Sequence, residues 1–311
     1  RSLTNKETKK EYLLEILLGQ CRYYRLKGKL NRSKEIADEI SILESEKFSS
    51  TIFSDRGLAS FHFYMGCFQE SLKYSSKYNI SNISLKNADL DINEPIISCI
   101  GYQALNLWIL GNKEEAFKFK NRAYNLAMNL KHNHTTIITV FIECMLYQFA
   151  KDKRNTKTKA LELKEICIKY GISLWAIAAD ILMEWSNNEY KSIKNIKNKI
   201  KEWDLTGGKL FGSYWCLLLA EKYIEFNKYK EAVNSAKEGL CFSEKWCSGN
   251  IYKILGICYS HLNQITESKD YFNKAVAIYK EQDALEMLMD LYKLDEYLKT
   301  QNSNGSKLDN N

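Results

Sequence analysis

The stretch TGGKLFGS, residues 206–213, places three glycines, one lysine and two hydroxyl side chains within eight positions. Glycines beside a lysine can bind phosphate through backbone amides and the ammonium group, which makes this stretch the first candidate for a nucleotide site. A P-loop also needs glycine five positions before the Gly-Lys pair and Ser or Thr directly after it. Trp203 and Leu210 occupy those positions. The sequence therefore predicts a turn between two helices, with Gly207, Gly208 and Gly212 as a flexible point of the fold.

No other group of reactive side chains has the spacing of a known site. His132 and His134 are the closest histidines, but neither has a Cys or acidic partner at helical spacing, and zinc usually takes four ligands. The nine cysteines form no CxxC pair, and most lie in apolar runs, which predicts buried thiols in a reducing cytoplasm. We therefore expect no catalytic residue, no metal site and no cofactor in this chain.

The charge pattern gives no clear sign of a nucleic-acid surface. Lys and Arg number 45 against 38 Asp and Glu, and the net charge of +7 is spread along the chain. The basic run 191–201 has lysines on one helical face opposite isoleucines, which is typical of a solvated surface. We expect no direct contact with nucleic acid, although a role for the basic runs 151–164 and 191–201 stays open. No uncharged run is long enough for a membrane span.

Short turns followed five positions later by a small residue recur along the chain. They start at 28, 66, 111, 155, 187, 227 and 263, so that successive starts are 32 to 45 residues apart. Gly or Asn at the start tolerates a left-handed backbone at a helix end, and acidic residues such as Glu114 suit the first turn of the next helix. This spacing is typical of helix–turn–helix solenoid units. A single proline, Pro95, in 311 residues also favours helices joined by short turns.

The unit from Gly249 to about Lys280 shows the repeat most completely. The residues on one face of its two helices are Tyr252, Leu255, Gly256 and Tyr259, followed by Ser268, Phe272 and Ala275. This pattern resembles the tetratricopeptide repeat, with Ser in place of the first Ala and Lys280 in place of the usual closing Pro. It predicts an all-α fold, a right-handed α–α superhelix of about seven helix pairs that ends in a capping helix.

The repeat starts give a map of the chain. We expect one tetratricopeptide-like domain over 1–300 and a disordered tail over 301–311. The helix pairs are predicted near 1–50, 51–80, 96–130, 135–170, 173–202, 211–244 and 249–281, with the cap at 284–299.

Four stretches between Asp89 and Lys299 resemble the C-terminal tetratricopeptide-like region of multidomain bacterial signalling proteins. They are ALNLWILG (104–111), YGISLW (170–175), WDLTG (203–207) leading to YWCLLLA (214–220), and EKW (244–246) leading to Gly256. Proteins of that family place a class III nucleotide cyclase, or sometimes a kinase, before a STAND-type ATPase and end in this solenoid. The resemblance implies a cytoplasmic sensing or scaffold module without catalytic residues of its own. Because the chain begins with Arg rather than Met, we expect it to be a fragment of such a protein.

Three functions stay open. The first is a non-catalytic solenoid that binds a protein, a peptide or other domains of the same polypeptide in its concave groove. The second is a peptide-sensing receptor of the quorum-sensing type, whose DNA-binding head would lie outside this fragment. The third is a nucleotide-binding enzyme that uses the glycine stretch.

The first hypothesis predicts groove residues on the solvent side of the first helices of the repeats. We expect Tyr214, Glu221, Asn250 and Lys253 to contact the partner. Replacing Lys253 and Asn250 together is expected to weaken partner binding without a change in thermal stability.

Overall fold

The computed structural model describes residues 2–47, 50–78, 91 and 93–294, and these residues form helices without a strand. The predicted tail at 301–311 and the end of the predicted cap lie outside the described residues. Residues 285–294 are also helical. The fourteen complete helices are α1 (Ser2–Leu26), α2 (Leu30–Lys47), α3 (Ile52–Tyr64), α4 (Phe68–Ser75), α5 (Pro95–Ile109), α6 (Lys113–Leu130), α7 (Asn133–Phe149), α8 (Lys153–Tyr170), α9 (Ser173–Ser186), α10 (Lys191–Leu205), α11 (Gly212–Glu225), α12 (Tyr229–Gly239), α13 (Ser248–His261) and α14 (Ile265–Glu281).

The turn residues at five of the repeat starts have a left-handed backbone. Their φ angles are +69° at Gly28, +80° at Gly66, +95° at Gly111, +58° at Asn227 and +59° at Asn263. Glycine adopts this conformation without a Cβ clash, and Asn is among the side chains that tolerate it best. These residues therefore end the first helix of each unit and reverse the chain within two or three residues.

The two weaker repeat starts differ from this pattern. Before α8 the left-handed residue is Lys151, with φ +57°, and Asn155 already lies inside the helix. Asn187 follows α9 in an extended conformation, with φ −76° and ψ +142°. These turns depart from the Gly/Asn rule, which explains why the sequence pattern is loose there.

Where the small residue of the repeat is a serine, it also forms a hydrogen bond between the two helices of the unit. Ser33, Ser71 and Ser268 each donate a hydrogen bond to a backbone carbonyl of the preceding helix, 2.8–2.9 Å away and 12 positions earlier in the chain. In the unit of α13 and α14, the acceptor is the carbonyl of Gly256, and a Cβ on Gly256 would lie 2.7 Å from the ring of Phe272. The serine hydroxyl therefore pins two helices together at the point where they pack most closely.

The helices form two layers. Each helix packs against the next one, and the odd-numbered helices also pack against each other from α1 to α13. The odd-numbered helices α5, α7 and α11 are buried on most sides, whereas even-numbered helices such as α10 expose a lysine-rich face. The odd-numbered helices therefore make the inner layer of the superhelix.

The superhelix closes on itself. The carbonyl of Leu26, at the end of α1, accepts hydrogen bonds from the backbone amides of Lys209 at 2.8 Å and Leu210 at 3.2 Å. The carbonyl of Tyr64, at the end of α3, accepts one from the amide of Lys245 at 2.7 Å. The turns of the N-terminal half thus contact the inter-repeat loops of the C-terminal half, and cavities form along the inner layer.

Candidate binding cavities

The first cavity, here called the polar cavity, has a volume of about 230 Å³ and lies between α5, α7, α11, α13 and the helical residues 285–294. All four predicted groove residues line it: Tyr214 and Glu221 from α11, and Asn250 and Lys253 from α13. The structure therefore brings the four together at one site. Whether they contact a partner stays a prediction.

Tyr214 and Glu221 form a wall whose polar atoms already have partners. Tyr214 is 1% exposed, so the expectation that it faces solvent is wrong, and its hydroxyl donates to Gln148 Oε1 at 3.0 Å. Glu221 accepts hydrogen bonds from Lys151 Nζ at 2.5 Å and Trp185 Nε1 at 2.9 Å. The Tyr214 ring packs against Trp215 and Trp246, which buries it. This wall has little hydrogen-bonding capacity left for a ligand.

Asn250 and Lys253 retain that capacity. Asn250 Oδ1 accepts from the Tyr279 hydroxyl at 2.6 Å. This bond fixes the orientation of the side chain and leaves the Nδ2 group available as a donor. The Lys253 ammonium forms neither a hydrogen bond nor an ion pair with any residue that the structure describes. Burial, with the nearby Lys151 charge, lowers the pKa of Lys253, although Glu221 and Asp290 act in the opposite direction. A half-buried ammonium without a partner inside a cavity is costly, and an anionic or carbonyl oxygen would relieve that cost.

The sequence alone predicts unchanged thermal stability when Asn250 is replaced, but its bond with Tyr279 leads us to expect a loss. Asn250→Ala is expected to lower the free energy of unfolding by about 1–3 kcal/mol, because the hydroxyl of Tyr279, which is 1% exposed, loses its acceptor. Urea unfolding of Asn250→Ala beside Asn250→Asp, which keeps Oδ1, checks this. Equal stability of Asn250→Ala and the wild type would show that the bond contributes nothing.

The glycine stretch 206–213 lies between α10 and α11, and its amides are tied to α1 by the Leu26 carbonyl. Its left-handed residues are Gly207 and Phe211, with φ +73° and +66°. Gly208 has no positive φ, and Gly212 begins α11 where a Cβ would lie 2.0 Å from the Phe242 ring. Gly212 thus serves close packing. Flexibility at these glycines stays a prediction, and the two bonds to Leu26 oppose it.

A second cavity, here called the arginine cavity, has a volume of about 250 Å³ and lies between α1, α3, α5, α7 and α9. One wall carries three guanidinium groups, those of Arg22, Arg25 and Arg56. The remaining surface is mainly apolar, and the aromatic residues that line it are Phe63, Tyr64, Tyr102, Phe141, Trp175 and Phe211. No Asp or Glu among the described residues lines this cavity.

The three arginines differ in their ion pairs and hydrogen bonds. Arg22 and Arg56 both form ion pairs with Asp91, with a distance of 2.6 Å for Arg22. Arg25, 9% exposed, donates to Ser60 Oγ at 3.0 Å and forms no ion pair with a described residue. Arg56 is 2% exposed, and its Nε has no hydrogen-bond partner. Burial lowers the pKa of Arg22, as do the charges of Arg56 and Arg25, whereas Asp91 raises it.

Sequence reasoning missed the arginine cavity and most of the polar cavity. Arg22 and Arg25 lie near the end of α1, where basic residues are common, so nothing local distinguishes them. Gln148 gave a usable signal, since a lone amide inside the apolar run of α7 needs a buried partner. That partner, Tyr214, is 66 positions away.

The part of the chain that the structure describes contains no group of three or more His, Cys, Asp or Glu side chains able to hold a metal ion. His132 instead caps α7, with Nδ1 accepting from the Thr135 amide at 3.4 Å. Within the same residues, no helix combines the length and the apolar character that crossing a bilayer requires.

Comparison with known proteins supports the architecture. No family model and no curated protein sequence matches the chain. A Rap protein, solved in complex with Competence and Sporulation Factor, is similar in structure with a TM-score of 0.57 and 14% identity, over 94% of this chain and 88% of that one. A tetratricopeptide repeat protein from Parabacteroides merdae matches with a TM-score of 0.47 and 17% identity, over 90% of this chain and 98% of that one. The predicted all-α fold is confirmed: the chain is a tetratricopeptide-like helical solenoid.

Proposed function

We propose that this chain is a non-catalytic binding protein that holds a short extended protein segment in the polar cavity. The observation that carries the proposal is Lys253, an ammonium group inside the cavity without a partner among the described residues. Its neighbours include the side-chain amide of Asn250. Side-chain amides both donate and accept, as the peptide backbone does, so they suit a ligand made of peptide groups.

The cavity also has the mixed character of a peptide site. Trp108, Phe149 and Trp246 supply apolar surface, while charges of both signs stand at its edge, such as the Lys113–Glu286 pair at 2.7 Å. Aromatic anchors surrounded by polar groups are typical of sites that carry most of a binding energy. A carboxylate or backbone carbonyl of the ligand would bind Lys253, and apolar side chains would contact the tryptophans.

Selection of a linear peptide library on the full chain tests the proposal, followed by calorimetric titration of the best peptide. Lys253→Met is expected to weaken its binding at least about tenfold, or about 1.4 kcal/mol. Lys269→Met, on the exposed side of α14, serves as a matched control and should bind like the wild type. Equal affinity of Lys253→Met and the wild type, with both folded by circular dichroism, would rule out the polar cavity as the site.

The biological role follows from two sources of support. The resemblance to cyclase–ATPase signalling proteins favours a regulatory or scaffold arm of a larger cytoplasmic protein, with its partner in the same polypeptide. The structural likeness to the Rap protein, which was solved in complex with Competence and Sporulation Factor, favours instead a receptor for a separate signal peptide. The reading frame upstream decides between them: cyclase or ATPase motifs favour the first role, and a helix-turn-helix head favours the second.

A further inference from the structure

The arginine cavity has features that packing alone does not require. A buried polar atom without a hydrogen bond is costly, and Arg56 Nε is such an atom in a side chain that is 2% exposed. Arg25 adds a second buried guanidinium, which forms no ion pair with a described residue and feels Asp91 only at a distance. The side chains of Arg22, Arg25 and Arg56 border the same space, which has room for about eight water molecules.

The rest of the cavity favours an aromatic occupant. Phe211 lies 5.1 Å from Phe141 and 5.6 Å from Tyr64, and Trp175 lies 4.9 Å from Phe141, measured between ring centroids. Such a set of rings offers both faces and edges to a flat ligand. An apolar wall opposite a guanidinium wall recognises a molecule that has an apolar end and an anionic end.

We propose that the arginine cavity is a binding site for a small organic carboxylate with an aromatic body. The two carboxylate oxygens accept from the guanidinium groups of Arg22 and Arg25, and the aromatic body lies among Phe141, Trp175 and Phe211. A carboxylate suits this wall better than a phosphate because Asp91 already engages Arg22 and Arg56. Arginine binds carboxylates through its fixed fork of N–H donors. The site is separate from the polar cavity, so a negative result for peptide binding would leave this proposal unchanged.

Calorimetric titration of the full chain with 2-naphthoate tests this site. Its neutral counterpart 2-naphthamide and the phosphate ester 2-naphthyl phosphate have the same ring system, so they isolate the head group. We expect 2-naphthoate to bind at least about tenfold more tightly than either compound. Arg25→Gln is expected to remove that preference, whereas Arg32→Gln, an exposed arginine on α2, should retain it.

A second variant locates the site even if Arg25→Gln fails to fold. Ile138→Phe enlarges a half-buried side chain that lines the cavity, so it should weaken 2-naphthoate binding at least tenfold with all three arginines intact. Equal affinity for 2-naphthoate and 2-naphthamide, or an unchanged affinity in Ile138→Phe, would overturn the proposal. Tighter binding of 2-naphthyl phosphate would overturn the carboxylate assignment.

Discussion

Replacement of Glu143 by glutamine is expected to lower the free energy of unfolding by about 3–5 kcal/mol. The Glu143 carboxylate lies in the middle of α7, with its side chain 2% exposed, and binds Lys120 of α6 and Lys159 of α8, each at 2.9 Å. The side chain of Lys120 is 6% exposed. Without Glu143, the neighbours that its ammonium keeps among the described residues are neutral: the Tyr147 hydroxyl at 3.1 Å and the Phe117 ring. A buried charge that loses its only opposite charge is among the most destabilising changes in a core.

Urea unfolding of Glu143→Gln, of a double variant and of a surface control measures this effect. Lys120→Met combined with Glu143→Met removes both buried charges, and we expect it to be more stable than Glu143→Gln, since an apolar pair replaces a broken ion pair. Lys159 keeps Glu162 at 2.9 Å in every variant. Glu115→Gln, which affects the exposed pair with Lys118, is the surface control and should change stability little. A Glu143→Gln variant as stable as this control would show that the buried network contributes nothing.

The units of the solenoid could be predicted from the sequence because their determinants are local. Gly28, Gly66 and Gly111 fix the turns through their own φ angles, and Ser33 and Ser71 bond within their own helix pair. Pairs of adjacent helices are thus specified by residues about a dozen positions apart.

The cavities could not be predicted because they depend on how the superhelix closes. The Ser243 hydroxyl donates to the Gly28 carbonyl at 2.7 Å across 215 positions, and Lys113 binds Glu286 across 173. Small rotations between successive units add up to this closure, and no single residue encodes them. Asn250 and Lys253 could be placed on the inner side of α13 from helical spacing alone, but the partners of Tyr214 could not.

Two buried glutamates from neighbouring segments of the chain replace local helix caps. The residues before α3 and α11, Thr51 and Phe211, provide no side-chain cap. Glu44 accepts instead from the amides of Phe53 at 2.9 Å and Ser54 at 3.0 Å, at the start of α3. At the start of α11, Glu244 accepts from the Ser213 amide at 3.1 Å. Carboxylates suit these positions because a helix N-terminus carries partial positive charge.

The second of these glutamates makes the stability of the protein depend on pH. Burial raises the pKa of Glu244 to about 7, although the bonds from Trp246 Nε1 and Ser213 act in the opposite direction. In the unfolded chain its pKa returns to the ordinary 4.5, so the folded state binds the proton more tightly between these two values. Its contribution to stability is therefore complete below about pH 4.5 and disappears as the pH rises through about 7, with a total of about 3 kcal/mol.

Urea unfolding of the wild type and Glu244→Gln between pH 4.5 and 8.5 isolates this contribution, because every other titrating group is common to both proteins. Relative to Glu244→Gln, the wild type is expected to lose about 3 kcal/mol of stability across this range, with most of the loss before pH 7. His62 and His134, whose pKa values are lowered chiefly by burial, favour folding as the pH rises and cancel in the comparison. A difference between the two proteins that stays constant with pH would mean that Glu244 keeps its ordinary pKa, and that the α11 N-terminus offsets the whole cost of burying its charge.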